Sequence, residues 1–262
     1  SFILAISFAS FACDRSASHV QTEAPSVASG PASTDDESPK KERAGDLEVL
    51  ELTTAGAHAK DILPMIVAIH GLGDKPENWL DFFSSFPVPA RIILPRAPEP
   101  WGEGGSWFGY PPKSIDDLAQ GVALAGDRVA KAIADLEKSR PTKGRAIVTG
   151  FSQGGFVSYD LAVHHADVIS AAFPMSGALP SPLAPANEAE AKAAAPIFAV
   201  HGDADRIVPI QMDRDGVAKI ASLGGRATLQ EFPRIQHTVT PAMKRAITDR
   251  IEAVARGDAD AW

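Results

Sequence analysis

The chain has 262 residues, room for one large domain or for a domain with a tail. Its 33 acidic and 25 basic side chains give a net charge of −8, which argues against a nucleic-acid partner because that role selects a basic face. A single cysteine excludes an intramolecular disulfide and a cysteine-based metal site. No stretch reaches the roughly 18 consecutive apolar residues of a membrane-spanning helix.

The chain opens on Ser1 and not on Met, and is read as part of a longer precursor. Residues 1–13 (SFILAISFASFAC) are uncharged and largely apolar, as in the hydrophobic region of an export signal. The run Ser10-Phe11-Ala12-Cys13 resembles the lipobox of bacterial lipoproteins, with Ser10 where an aliphatic residue is usual. Cys13 is therefore the expected lipidation site and membrane tether, cleavage near Ala12 without lipidation being the alternative, and the expected location is the periplasm or cell envelope. Residues 14–45 are Ser, Ala, Pro and charge, too poor in apolar side chains to offset their ordering entropy, and are read as a flexible linker. The globular domain is expected over 46–262.

From residue 46 the pattern alternates. Leu47–Leu52 suits an edge strand. Met65–Ile69, Ile92–Leu94, Ala146–Thr149, Ala171–Met175 and Ile197–Val200 are short apolar runs that suit buried parallel strands, and Ala227–Phe232 closes the series. Between them, Ile115–Leu136 places Ile115, Leu118, Val122, Val129, Ile133 and Leu136 at helical spacing, with Ser114 positioned as its cap. Gly154–His165, Pro209–Leu223 and Pro241–Ala255 read as further helices. Strands alternating with helices, with no repeat and no second core, predict an α/β fold with a mostly parallel sheet covered on both faces.

The sharpest motif is Gly150-Phe151-Ser152-Gln153-Gly154, a G-x-S-x-G between a predicted strand and a predicted helix. That context is a nucleophile elbow, in which a strained turn exposes the serine hydroxyl at a helix N-terminus. A serine hydroxyl needs a base, and the base needs an acid to orient it. In this architecture the chain order is serine, acid, histidine. Asp203 and Asp205 both lie at the next strand end, and the residues alone leave the choice between them open. His237 is the histidine downstream of both, and is the expected base. His70 and His201 end strands upstream of that order and are read as structural, as are His164 and His165 at a helix end. An oxyanion needs two backbone donors: the N–H of Gln153 follows the nucleophile, and that of Leu72 in the His70–Asp74 loop is the expected second. No histidine pair has the spacing of a zinc helix, and neither metal nor cofactor is expected.

These segments resemble the phospholipase/carboxylesterase family of α/β-hydrolases, which includes acyl-protein thioesterases. The matching stretches are HGLGD (70–74), LPRAPEP (94–100), Ser106-Trp107-Phe108, GFSQGG (150–155), SGALP (176–180) and HGDADRIVP (201–209), together with the His237 region. The resemblance implies an α/β-hydrolase fold without a large cap domain, ester hydrolysis through Ser152, His237 and the second aspartate, Asp205, oxyanion donors at Leu72 and Gln153, and no cofactor. Gly109 stands where thioesterase members commonly carry Asp. The Pro98–Pro112 loop holds Trp101, Trp107, Phe108 and Tyr110. Trp107 and Phe108 are the expected contacts to a small-molecule or lipid ester, the other reading being that they only pack the loop. The segment Ser181–Ala195 is too short for a cap, so an open groove is expected. The alternatives are a peptidase or a feruloyl- or acetyl-directed polysaccharide esterase on the same fold and, outside enzymes, a catalytically silent binding module.

Overall fold

The structure, a computed structural model, describes residues 38–258. The leader, Cys13 and most of the 14–45 segment lie outside the described residues. The strands are β1 (Lys40–Ala44), β2 (Leu47–Thr53), β3 (Met65–Ile69), β4 (Arg91–Pro95), β5 (Glu99–Trp101), β6 (Gly104–Ser106), β7 (Ala146–Phe151), β8 (Ile169–Met175), β9 (Ile197–Gly202) and β10 (Ala227–Phe232). The helices are α1 (Leu80–Phe83), α2 (Ile115–Ser139), α3 (Gln153–His164), α4 (Glu188–Ala193), α5 (Ile210–Ser222) and α6 (Pro241–Arg256).

Eight strands form one sheet in the order β1-β2-β4-β3-β7-β8-β9-β10. The β1–β2 and β2–β4 pairs are antiparallel, and every pair from β4 to β10 is parallel. The alternation of β3 shows why the central strands read as unbroken apolar runs. Met65, Val67 and Ile69 enter a core shared with Val122 and Val129 of α2 and Val157 and Leu161 of α3. Ile66 and Ala68 point the other way, into a core shared with Phe83 of α1 and Met243, Ile247 and Ile251 of α6. A strand covered on both faces has no polar side to display.

The helix ends follow their local chemistry. Ser114 caps α2, its hydroxyl accepting from the Asp117 N–H at 3.1 Å. Thr240 caps α6 in the same way, accepting from Met243 N–H at 3.2 Å, and Pro241 follows at the first helical position. Ile115, expected on the apolar stripe of α2, is exposed.

Two expectations at the N-terminal side need correction. Leu47–Thr53 is not an edge strand, and the segment read as linker to residue 45 is strand from Lys40. A two-residue turn, Gly45-Asp46, with Gly45 at φ +58°, folds β1 back on β2 so that Ala44 pairs with Leu47 and Lys40 with Glu51. The charges that made 40–44 look like tether are those an outer strand carries, since they discourage pairing with another chain. They are also fastened. Glu42 pairs with Arg140, which donates to Glu51 at 2.9 Å, and Glu51 pairs with the fully buried Arg91 of β4.

Candidate active site

The C-terminal ends of β3, β7, β9 and β10 lie on one rim of the sheet, and the loops that leave them carry the candidate groups. At the end of β7, Ser152 adopts φ +54° and ψ −117°, a conformation an L-residue takes only under constraint. The constraint is the close approach of β7 to α3. A Cβ on Gly150 would collide with the carbonyl of Gly154, and one on Gly154 with the carbonyl of Ile69. Glycine at both positions lets the helix begin directly under the serine, whose hydroxyl then stands at the positive end of α3.

The Ser152 hydroxyl lies 2.9 Å from His237 Nε2, and His237 Nδ1 lies 2.7 Å from Asp205 Oδ2. With the Nδ1–H donating to the carboxylate, Nε2 is left as the acceptor for the serine proton. His237 sits in the loop after β10, its ring against Phe151 with centroids 4.7 Å apart. Asp205 is held by more than His237. Its Oδ1 accepts from Ile207 N–H at 2.8 Å and Val208 N–H at 2.9 Å. Burial alone would raise its pKa, but the hydrogen bonds from His201 and His237 outweigh it and hold the carboxyl well below the usual range. Asp203 is exposed, and its Oδ1 accepts from the Arg234 N–H in the loop that carries His237. The geometry therefore separates the aspartates that the residue pattern could not: Asp205 faces the histidine and Asp203 shapes the turn.

Opposite the serine, a Cβ on Gly71 would lie 3.4 Å from Ser152 Cβ, so the 70–74 loop passes beside the hydroxyl. The N–H groups of Leu72 and Gln153 find no acceptor among the described residues. The side chain of Gln153 has a role the sequence did not reveal. Its Oε1 accepts from the Trp107 N–H at 2.9 Å, and its Nε2 donates to the Phe108 carbonyl at 3.2 Å. The residue beneath the serine thus pins the aromatic segment to the elbow.

Trp107 and Phe108, expected against substrate, are 4% and 6% exposed. The Trp107 indole donates to the His70 carbonyl at 2.9 Å, and Phe108 stacks edge-on with Phe156 of α3. Both are committed to packing. The accessible aromatics are Trp101, 39% exposed, and Tyr110, which meet edge-on at 6.1 Å. Trp101 lies on the β5–β6 hairpin, which docks on the 70–74 loop through Gly73 N–H to Gly105 O at 2.8 Å and Gly105 N–H to Asp74 O at 3.0 Å. Three-residue strands carry no period to read, so the facing of this hairpin is not legible from its residues.

His70 is structural as expected. Its Nδ1–H donates to the Gly71 carbonyl at 2.7 Å, its Nε2 accepts from Ala97 N–H at 3.1 Å, and burial lowers its pKa. Among the described residues, no group of His, Cys, Asp and Glu has the arrangement of a metal site.

The fold and this strand-end arrangement are those of an α/β-hydrolase. The phospholipase/carboxylesterase family model matches residues 56–255, and the chain belongs to that family. It is 28% identical over 191 residues to a probable inactive carboxylesterase of Oryza sativa subsp. japonica, covering 66% of this chain and 78% of the relative. It is 26% identical over 216 residues to acyl-protein thioesterase 1 of Mycosarcoma maydis, covering 71% and 89%. Among solved structures it is similar to esterase PE8, with a TM-score of 0.65, 23% identity, and coverage of 80% of this chain and 98% of the other.

Proposed function

We propose that the protein hydrolyses carboxylic esters through an acyl-enzyme on Ser152. The observation that carries this reading is the unbroken line from Asp205 through His237 to Ser152, at 2.7 and 2.9 Å, beside two backbone N–H groups without acceptors among the described residues. In the proposed sequence, His237 Nε2 takes the serine proton as Oγ attacks the ester carbonyl. The oxyanion that forms is met by the N–H groups of Leu72 and Gln153. His237 then gives its proton to the departing alcohol, and a water repeats the cycle on the acyl-serine. Asp205 stabilises the imidazolium and fixes the ring.

The substrate class is a small-molecule or lipid ester, with Trp101 and Tyr110 offering apolar faces to its acyl or aryl group. Gly109, in place of the acid common in thioesterases, favours this over a protein-directed thioester role. The second reading, a silent binding module, has one observation behind it, the relative named as inactive. Retention of all three aligned side chains speaks against it.

The test is labelling with a fluorophosphonate, together with hydrolysis of p-nitrophenyl esters from acetate to palmitate. Ser152→Ala should fold, lose the label and lose roughly 10⁴-fold or more in kcat, because the covalent route disappears. A variant that keeps a tenth of the activity would refute the assignment.

A further inference from the structure

His201 is the penultimate residue of β9, and its ring is fully buried beside the Asp205 carboxylate. Both ring nitrogens face oxygen. Nδ1 lies 2.7 Å from Asp213 Oδ2 on α5, and Nε2 lies 3.0 Å from the Val208 carbonyl and 3.3 Å from Asp205 Oδ2. A carbonyl oxygen only accepts, so Nε2 carries a proton, and the Nδ1–Asp213 contact holds a second, which burial of Asp213 draws toward its carboxyl and the facing Asp205 and Asp213 carboxylates draw toward the ring. The other oxygen of Asp213 accepts from the Tyr159 hydroxyl on α3, in the core. From β10 the facing charge is Glu231, which is exposed and paired with Arg214 at 2.6 Å. From the loop after β10, His237 reaches the same Asp205 oxygen as His201. The polar line that begins at Ser152 therefore continues past Asp205, across the 3.3 Å contact to His201, and on through Asp213 to Tyr159.

Packing alone does not call for this arrangement. Burying charges costs desolvation, and apolar side chains of similar volume commonly fill such a space with no loss of stability. The polar groups converge instead on the carboxylate that the proposed reaction depends on.

We propose that His201, held as an imidazolium by Asp213 and Tyr159, is a positioning residue that orients Asp205 toward His237. This rests on the ester-hydrolase reading above. Oδ1 of Asp205 is fixed by two backbone donors, and Oδ2 is fixed between His237 and His201, so the carboxylate can neither rotate nor take up a proton readily. Burial pulls the pKa of His201 down, but hydrogen bonds to Asp205 and Asp213 outweigh it and raise it to about 9. The proton is held below that pH and lost above it. The neutral ring then offers Asp205 no positive charge across their 3.3 Å contact, and its Nδ1 lone pair confronts the Asp213 carboxylate. The reaction should slow on the alkaline side for this reason.

The experiment follows kcat and KM for p-nitrophenyl acetate across the alkaline range in the wild type and in Asp213→Asn. The asparagine amide keeps the shape, accepts from Tyr159 and donates to Nδ1, which leaves His201 neutral with its Nε2–H in place. The wild-type kcat should break downward near pH 9. Asp213→Asn should lose that break, with kcat lower by roughly tenfold at about pH 8 and KM within about twofold. Histidine-ring ¹⁵N NMR of the wild type needs no variant: one buried ring should carry protons on both nitrogens at about pH 8, where ordinary histidines are neutral. A His201 ring with a single proton, or the same alkaline break in Asp213→Asn, overturns the proposal. Fluorophosphonate labelling of the same samples separates the two levels. An unlabelled wild type refutes the hydrolase reading and this one with it, whereas a labelled, active wild type with a flat alkaline profile refutes the positioning role alone.

Discussion

In the segment His201–Asp205 the two aspartates take different partners, Arg234 N–H and the His237 ring, and their substitutions should report it. Asp205→Asn keeps the volume but offers an amide to His237 Nδ1, which favours the wrong tautomer, so kcat should fall by roughly 10⁴-fold. Asp203→Asn still accepts from the Arg234 N–H and should cost less than about tenfold. Parallel kinetics of the two variants checks this, and a larger loss in Asp203→Asn would reverse the roles. Residue identity and chain order made the serine and histidine legible before any coordinates. They could not choose the acid, because that choice depends on which way each side chain leaves the turn. The same limit applies to Trp107 and Phe108. An aromatic residue in a loop serves equally for packing or contact, and only burial shows that these two pack while Trp101 stays accessible.

Between α2 and α3 the contact is close enough that a Cβ on Gly126 would strike the Asp160 carboxylate. Asp160 is buried, and neither of its oxygens has a hydrogen-bond partner among the described residues. His164 and His165 stand off at 3.9 and 3.8 Å, and Asp127 adds negative charge nearby. Burial, with Asp127, pushes the Asp160 pKa up to about 7 from 3.8. Between those values the folded protein holds a proton that the unfolded chain releases, so stability should decline as pH rises from about 4 to about 7 and then level off. Asp160→Asn cannot ionise. It should flatten that slope and, at about pH 8, gain about 1–3 kcal/mol over the wild type. Urea unfolding of both proteins at about pH 5 and about pH 8 checks it, and an equal difference at the two pH values would disprove it. The amphipathic helices α2 and α6 were legible from their spacing, one face apolar and one polar. Within α3, Gln153 through Ala162 are all buried, so no polar face marks its orientation and the burial of Asp160 left no trace in the pattern.

For the whole molecule, the outer strand matters more than its composition implied. β1 covers β2 over five paired residues and brings Glu42 to Arg140. Of two shortened proteins, the one beginning at Ser38 should therefore melt higher than the one beginning at Asp46, by roughly 5 °C, and the shorter should aggregate through its uncovered β2. Thermal melts with light scattering check this, and indistinguishable melts would show that β1 contributes nothing. The parallel sheet was legible because its central strands are apolar on both faces. β1 was not, because an outer strand made of charges resembles a tether until its partner is known. Gln153 has a different reach. Its backbone belongs to the elbow under Ser152, and its amide holds both Trp107 and Phe108 in the segment beyond the β5–β6 hairpin. The two pieces are therefore joined as one unit. A hairpin grafted from a relative must bring a backbone that fits this amide, so altering specificity here should call for paired change on both sides of it and not for exchange of the loop alone.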